Sequence, residues 1–173
     1  LWNEAESNAK CSPTNSYVTG FTCFCDTSTA WMGPAILTGT NEMMLFYIEG
    51  GDLTLNDLII QNGRLDDYGL GAIVGTSHWS GTLPSVYLNN TLMRHNFALV
   101  NGAAVQMNSG SLVLEDSTFE SNEAALGGAV LAMGGAQVAV VGTTTFRDNT
   151  AAPREVNSGG GAFYLSSSTL VVD

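Results

Sequence analysis

One phrase recurs along this chain, and it constrains the fold more than any other feature. Gly127-Gly128-Ala129-Val130 returns as Gly160-Gly161-Ala162-Phe163, with Leu70-Gly71-Ala72-Ile73 and Asn101-Gly102-Ala103-Ala104 as looser copies. A second phrase alternates with it: Phe119-Glu120-Ser121-Asn122, then Phe146-Arg147-Asp148-Asn149. Two phrases in alternation mark a repeat architecture, in which a unit buries its apolar face only by stacking on the next. Such a repeat builds a long surface. Nothing in the phrases themselves is a reaction centre.

The inner glycines fall at Gly71, Gly102, Gly128 and Gly161, in steps of 31, 26 and 33 residues. The closing asparagines fall at Asn62, Asn96, Asn122 and Asn149, in steps of 34, 26 and 27. Three residues before each stands a bulky apolar side chain: Ile59, Met93, Phe119 and Phe146. Between the two phrases lies an apolar triplet, as in Leu53–Leu55, Val86–Leu88, Leu112–Leu114 and Val138–Val140, and again at Leu170–Val172. The short runs are alternating and β-branched, and Gly, Ser and Asn separate them, so they read as strands. No stretch has a sustained helical period. Three short strands in a unit as short as 26 residues predict an all-β parallel β-helix. Its four to five coils would stack at about 4.8 Å, the ordinary strand spacing.

The repeated residues then have structural jobs. The inner glycine is expected to take a positive φ at a corner. Phe119 and Phe146, with Met93 and Ile59, are expected to fill the core as one column. The asparagines are expected to tolerate a left-handed corner and to stack as an amide ladder.

The pairing of Gly-Gly-Ala-apolar with Phe-x-x-Asn resembles the polymorphic outer membrane protein repeats, named from chlamydial surface adhesins. The resemblance covers about residues 53–173, with Ile59 and Met93 in place of Phe in the earlier copies. It implies a right-handed β-helix displayed outside the cell, with an adhesive or structural role and no catalysis.

Composition bounds the partners. Five Lys and Arg against 16 Asp and Glu give a net charge of −11. A phosphate-binding groove needs basic side chains, so nucleic acid is not an expected partner. The same shortage argues against an anionic membrane surface. No run of 18 apolar residues occurs, so this segment is not expected to insert in a membrane. Divalent cations and neutral glycans are compatible with the charge. The chain begins at Leu1 and stops just after Leu170–Val172 opens another repeat, so more repeats are expected beyond it.

Residues 1–41 lack the pattern and are expected to form an irregular N-terminal cap or linker, with the repeats over 42–173. Cys11, Cys23 and Cys25 all lie in the cap. Cys23 and Cys25 are poorly placed to bridge each other in an extended chain. A bridge from Cys11 to either is expected, leaving one thiol for another partner. The rival is zinc, but His78 and His95 lie far off in sequence. A disulfide implies an oxidising, extracellular compartment.

Because many β-helices cleave polysaccharides, catalysis needs a direct test in the sequence. In register, Asn56, Asn89, Glu115 and Asp173 share a column interrupted by Val141, and Asp57, Asn90 and Asp116 share the next, interrupted by Gly142. The plain reading is a solvated corner. The sharper one is a calcium site of Glu115, Asp116 and Asp173. No Lys or Arg falls in these columns to serve as a lyase base. Asp66-Asp67 reads as an exposed loop, and the single Thr143-Thr144-Thr145 run is too short for an ice-binding face. Asn89-Asn90-Thr91 is a glycosylation sequon, making Asn89 a candidate acceptor. The sequence therefore points to a non-enzymatic structural or adhesive module of a cell-surface protein or filament. Its expected partners are copies of itself or further repeats of the parent chain, head to tail, and glycans. The alternative is a carbohydrate-active β-helix enzyme, a lyase or glycosidase, whose site lies partly outside this segment.

Overall fold

The computed structural model describes residues 9–10, 24–25, 34–39, 44–64, 71–77, 81–152 and 158–173. Among them the secondary structure is entirely β, with no helix. A short antiparallel pair, β1 (Ala9–Lys10) and β2 (Phe24–Cys25), stands apart. Three five-stranded sheets hold nearly all the rest. The first contains β4 (Phe46–Glu49), β7 (Ile73–Thr76), β10 (Val105–Met107), β14 (Val130–Ala132) and β18 (Phe163–Leu165). The second contains β5 (Gly51–Asn56), β8 (Pro84–Asn89), β11 (Ser111–Glu115), β15 (Gln137–Val141) and β19 (Thr169–Val172). The third contains β3 (Ala35–Thr38), β6 (Leu58–Gln61), β9 (Leu92–Arg94), β12 (Thr118–Glu120) and β16 (Thr145–Arg147). A two-stranded sheet, β13 (Glu123–Ala124) with β17 (Thr150–Ala151), completes the set.

From β4 onward the chain visits the first, second and third sheets in turn, and each pairing between circuits is parallel. The expected three strands per unit are present. The third sheet starts at Ala35, ahead of the boundary at residue 42 read from the sequence. Strand alternation explains the second sheet. Leu53, Leu55, Val86, Leu88, Leu112, Leu114, Val138 and Val140 all point into one apolar core. Their neighbours Thr54, Tyr87, Val113 and Ala139 form an outward column.

The third sheet corrects the register of the first copy. Ile60, not Ile59, pairs with Met93, which pairs with Phe119 and so with Phe146. Ile60 and Met93 are fully buried, while Ile59 points outward on the half-buried face. Phe119 is also fully buried and stacks on Phe146 with centroids 4.9 Å apart and planes 13° apart. Phe146 lies in the last strand of its sheet and is only partly covered. Phe163 packs against it at 4.6 Å.

The three middle strands of the first sheet, β7, β10 and β14, are covered on both faces. Their outward residues Val74, Gln106 and Leu131 are 2%, 4% and 0% exposed. A Cβ added at Gly102 would sit 2.9 Å from the Leu131 Cβ, so the glycine phrase of one circuit lies against the strand of the next. Burial on both faces accounts for the continuous apolar runs Ile73-Val74 and Val130–Ala132.

The glycine column also differs from its expected form. Ile73, Val105, Val130 and Phe163 pair across the sheet, which aligns Ala103, not Gly102, with Gly71, Gly128 and Gly161. Positive φ belongs to the glycines one step earlier, Gly127 at 63° and Gly160 at 71°. Gly128 is required for space instead. A Cβ there would approach Gly161 O to 2.2 Å and Thr150 O to 2.6 Å.

Candidate functional site

The polar side chains that repeat are the candidates for function, and two columns of them lie inside the stack. The first is an asparagine ladder. Asn122 Nδ2 donates to Asn149 Oδ1 at 2.9 Å and to the Met93 carbonyl at 3.0 Å. Asn122 Oδ1 accepts from Asn96 Nδ2 at 2.9 Å and from the Asn96 backbone N–H at 3.1 Å. Asn96 Oδ1 accepts in turn from the Gly63 N–H at 2.9 Å. The first position of this column is therefore Gly63. Asn62 sits one residue early and has φ 58°, in line with His95, Ser121 and Asp148 at 53°, 52° and 54°. The left-handed corner thus falls on the residue before each ladder asparagine. Asn96 and Asn122 are 1% and 0% exposed, and each amide spends its hydrogen-bonding groups on neighbouring circuits.

A second ladder, missed in the sequence, is made of hydroxyls. The Thr91 N–H donates to Ser117 Oγ at 3.1 Å, and the Ser117 N–H to Thr144 Oγ1 at 3.1 Å. Each hydroxyl donates onward to backbone carbonyls, Thr91 to Asn89 at 3.0 Å and Ser117 to Glu115 at 2.7 Å. The available signal was a Ser or Thr following the polar corner at Asn90-Thr91 and Asp116-Ser117. It is short and common, so it does not stand out in a chain rich in hydroxyls. This ladder also gives Thr91 a structural reason to be Thr. Asn89 lies half-buried at the end of β8, and the sequon is part of the ladder.

The acidic corner is the outer counterpart. Asp57, Asn90 and Asp116 have φ of 56°, 48° and 46°, and Gly142 follows at 65°. Asn90 Nδ2 donates to Asp57 Oδ1 at 2.6 Å. Asp116 Oδ1 accepts from the Thr143 N–H at 2.9 Å and its hydroxyl at 3.0 Å. The backbone bond, then the hydroxyl bond, holds the Asp116 carboxyl below its ordinary range. In the adjoining column Glu115 accepts a hydrogen bond from the Tyr87 hydroxyl. That bond, with smaller contributions from burial and nearby carboxylate charge, raises the Tyr87 phenol. Glu115 pairs across the sheet with Val141, so a whole circuit separates it from the column position of Asp173. Among the described residues no three His, Cys, Asp or Glu side chains gather closely enough to hold a metal ion.

Other expectations fall elsewhere. Cys11, Cys23, His78 and Asp66-Asp67 lie outside the described residues, as does the side chain of Cys25. His95 is exposed at its left-handed corner. One polar group stands out on the covered face of the first sheet. Gln106 Nε2 donates to Asn108 Oδ1 at 2.8 Å, while its Oε1 is buried with no partner.

No protein-family model matches the chain, and comparisons with curated proteins and with solved structures find no match.

Proposed function

We propose that the chain is part of a right-handed parallel β-helix serving as a non-enzymatic structural or adhesive module of an extracellular surface protein or filament. The ordered passage through three parallel sheets supports the β-helix. The general right-handedness of crossovers between parallel strands of one sheet supports its hand. The single observation that carries the functional reading is how the repeating polar side chains are used. Asn96, Asn122, Thr91 and Ser117 are turned inward and consumed by bonds between circuits. Catalysis by carboxylates needs groups left available to a substrate. Here Glu115 holds Tyr87, Asp116 holds Thr143 and Asp57 holds Asn90. The grouping of the cysteines in the first 25 residues and the resemblance of the two phrases to surface adhesin repeats support an extracellular place.

The test is incubation of the purified chain with a panel of neutral and acidic polysaccharides, with and without calcium. Product release is followed by chromatography and retention by affinity electrophoresis. Unchanged polymer is the expected result, with retention of a glycan identifying an adhesive role. Cleavage of any polymer would replace this reading with the carbohydrate-active enzyme.

A further inference from the structure

The chain holds two Asn-Gly pairs, Asn62-Gly63 and Asn101-Gly102. Such a pair is open to a reaction within its own backbone. The glycine nitrogen gives up its proton and bonds to the asparagine side-chain carbon. The bond from that carbon to the amide nitrogen breaks, and ammonia leaves with the proton. Water then opens the five-membered imide to aspartate or to isoaspartate, which carries the former side-chain carbon in the main chain. Glycine favours the attack because no side chain crowds its nitrogen and its backbone is the least restricted. A glycine N–H that already donates to a buried acceptor is not free to attack.

The fold holds the two pairs by different means. The Gly63 N–H donates to Asn96 Oδ1 at 2.9 Å, and Asn96 is 1% exposed in the next circuit. The Gly63 carbonyl accepts from the Phe97 N–H at 2.9 Å. The Gly102 N–H donates to a main-chain group instead, the Leu126 carbonyl, at 2.9 Å. Asn62 and Asn101 are both half-buried, so exposure does not separate them. The glycine of the first pair is also fixed by space. A Cβ on Gly63 would lie 2.6 Å from the Ala72 Cβ and 2.7 Å from its Cα. A left-handed Asn62 at φ 58° followed by an obligatory glycine places a labile pair where the asparagine ladder ends.

We propose that Asn62 is a modification site, silent while Asn96 holds Gly63 and converted to aspartate or isoaspartate when the ladder lets go. Formation of isoaspartate fixes the opening. The extra main-chain carbon moves the Gly63 N–H away from Asn96 Oδ1, and the first circuit cannot reseat in the same register.

Conversion at both pairs is followed by peptide mass spectrometry of the whole chain in mildly alkaline buffer, folded and in urea. Asn62 in the folded parent should convert at least about tenfold more slowly than in urea, because reaction then passes only through opening. Asn96→Ala should remove most of that protection at Asn62 and leave Asn101 protected. Equal rates at Asn62 in the folded and urea-unfolded parent overturn the proposal. So does an Asn96→Ala chain in which Asn62 stays silent. A rise at Asn62 and Asn101 together assigns the protection to the fold as a whole and overturns the role of the ladder. The parent gives a second reading that needs no variant. As urea is raised below the unfolding transition, conversion at Asn62 should climb in step with hydrogen exchange of the Gly63 amide. Exchange that climbs while conversion stays flat overturns the proposal as well.

Discussion

The asparagine corner and the acidic corner are built on the same backbone device, and in both the exposed left-handed residue contrasts with a buried polar side chain that follows it. Each turns through a left-handed residue, Asn62, His95, Ser121 and Asp148 at one, Asp57, Asn90, Asp116 and Gly142 at the other. At the first, the next residue points inward, and Asn96 and Asn122 are out of water. At the second, Thr91 and Ser117 are buried in the same way, while the left-handed Asp116 before Ser117 stands exposed on the surface. The difference teaches where specificity resides. A buried amide must be fully partnered, so it fixes the register of each circuit on the next. An exposed carboxylate held by an exposed neighbour fixes little of that register.

Changes on the buried side should have the largest effects. Phe119→Ala removes a ring packed between Met93 and Phe146, and should cost about 3–5 kcal/mol of unfolding free energy in urea titration. Asn122→Leu should cost about 2–4 kcal/mol, since it strands the Asn96 amide and the Met93 carbonyl together. A loss well below 1 kcal/mol would mean the ladder does not set register. Ser117→Ala removes one acceptor and one donor of the hydroxyl ladder and should cost about 1–2 kcal/mol.

The exposed carboxylate of the acidic corner should respond least, and through pH. The Asp116 carboxyl is held below the ordinary aspartate value of 3.8. Its folded form therefore binds its proton less readily than its unfolded form, and its contribution is fully present above that ordinary value. It is lost as pH falls through the folded value. In urea titrations the parent chain should lose stability relative to Asp116→Asn on acidification below pH 3.8 and match its trend at neutral pH. Parallel curves throughout would remove the Thr143 bonds from the account.

Part of this was legible in advance. The phrases Gly-Gly-Ala-apolar and Phe-x-x-Asn showed the repeat, and the two intact copies placed Phe119, Asn122, Phe146 and Asn149 in register without error. The acidic columns, including their interruptions at Val141 and Gly142, were also read directly. The first copy misled because Ile59 and Ile60 are both apolar, and Asn62 precedes a glycine. Two readings one residue apart were then equally good in pattern. Gly102 misled in the same way, since Ala103 beside it is also small. A one-residue slip turns every side chain of a strand to the other face, and only pairing with Met93 and Val105 decides it.

The sequence by itself determined the repeat, the strand class and the columns of the intact copies, because those depend on spacing along the chain. The tertiary structure alone decided which glycine takes positive φ and which is needed for clearance. It also decided that the middle strands of the first sheet are covered on both faces, and that hydroxyls form a second ladder. These depend on atoms of one circuit meeting atoms of another, 26 to 33 residues away in the N–H bonds of the ladders. Local preference cannot fix such contacts, since Gly, Asn and Ser suit many corners. What selects among them is the space and the hydrogen-bond partners that the neighbouring circuit supplies.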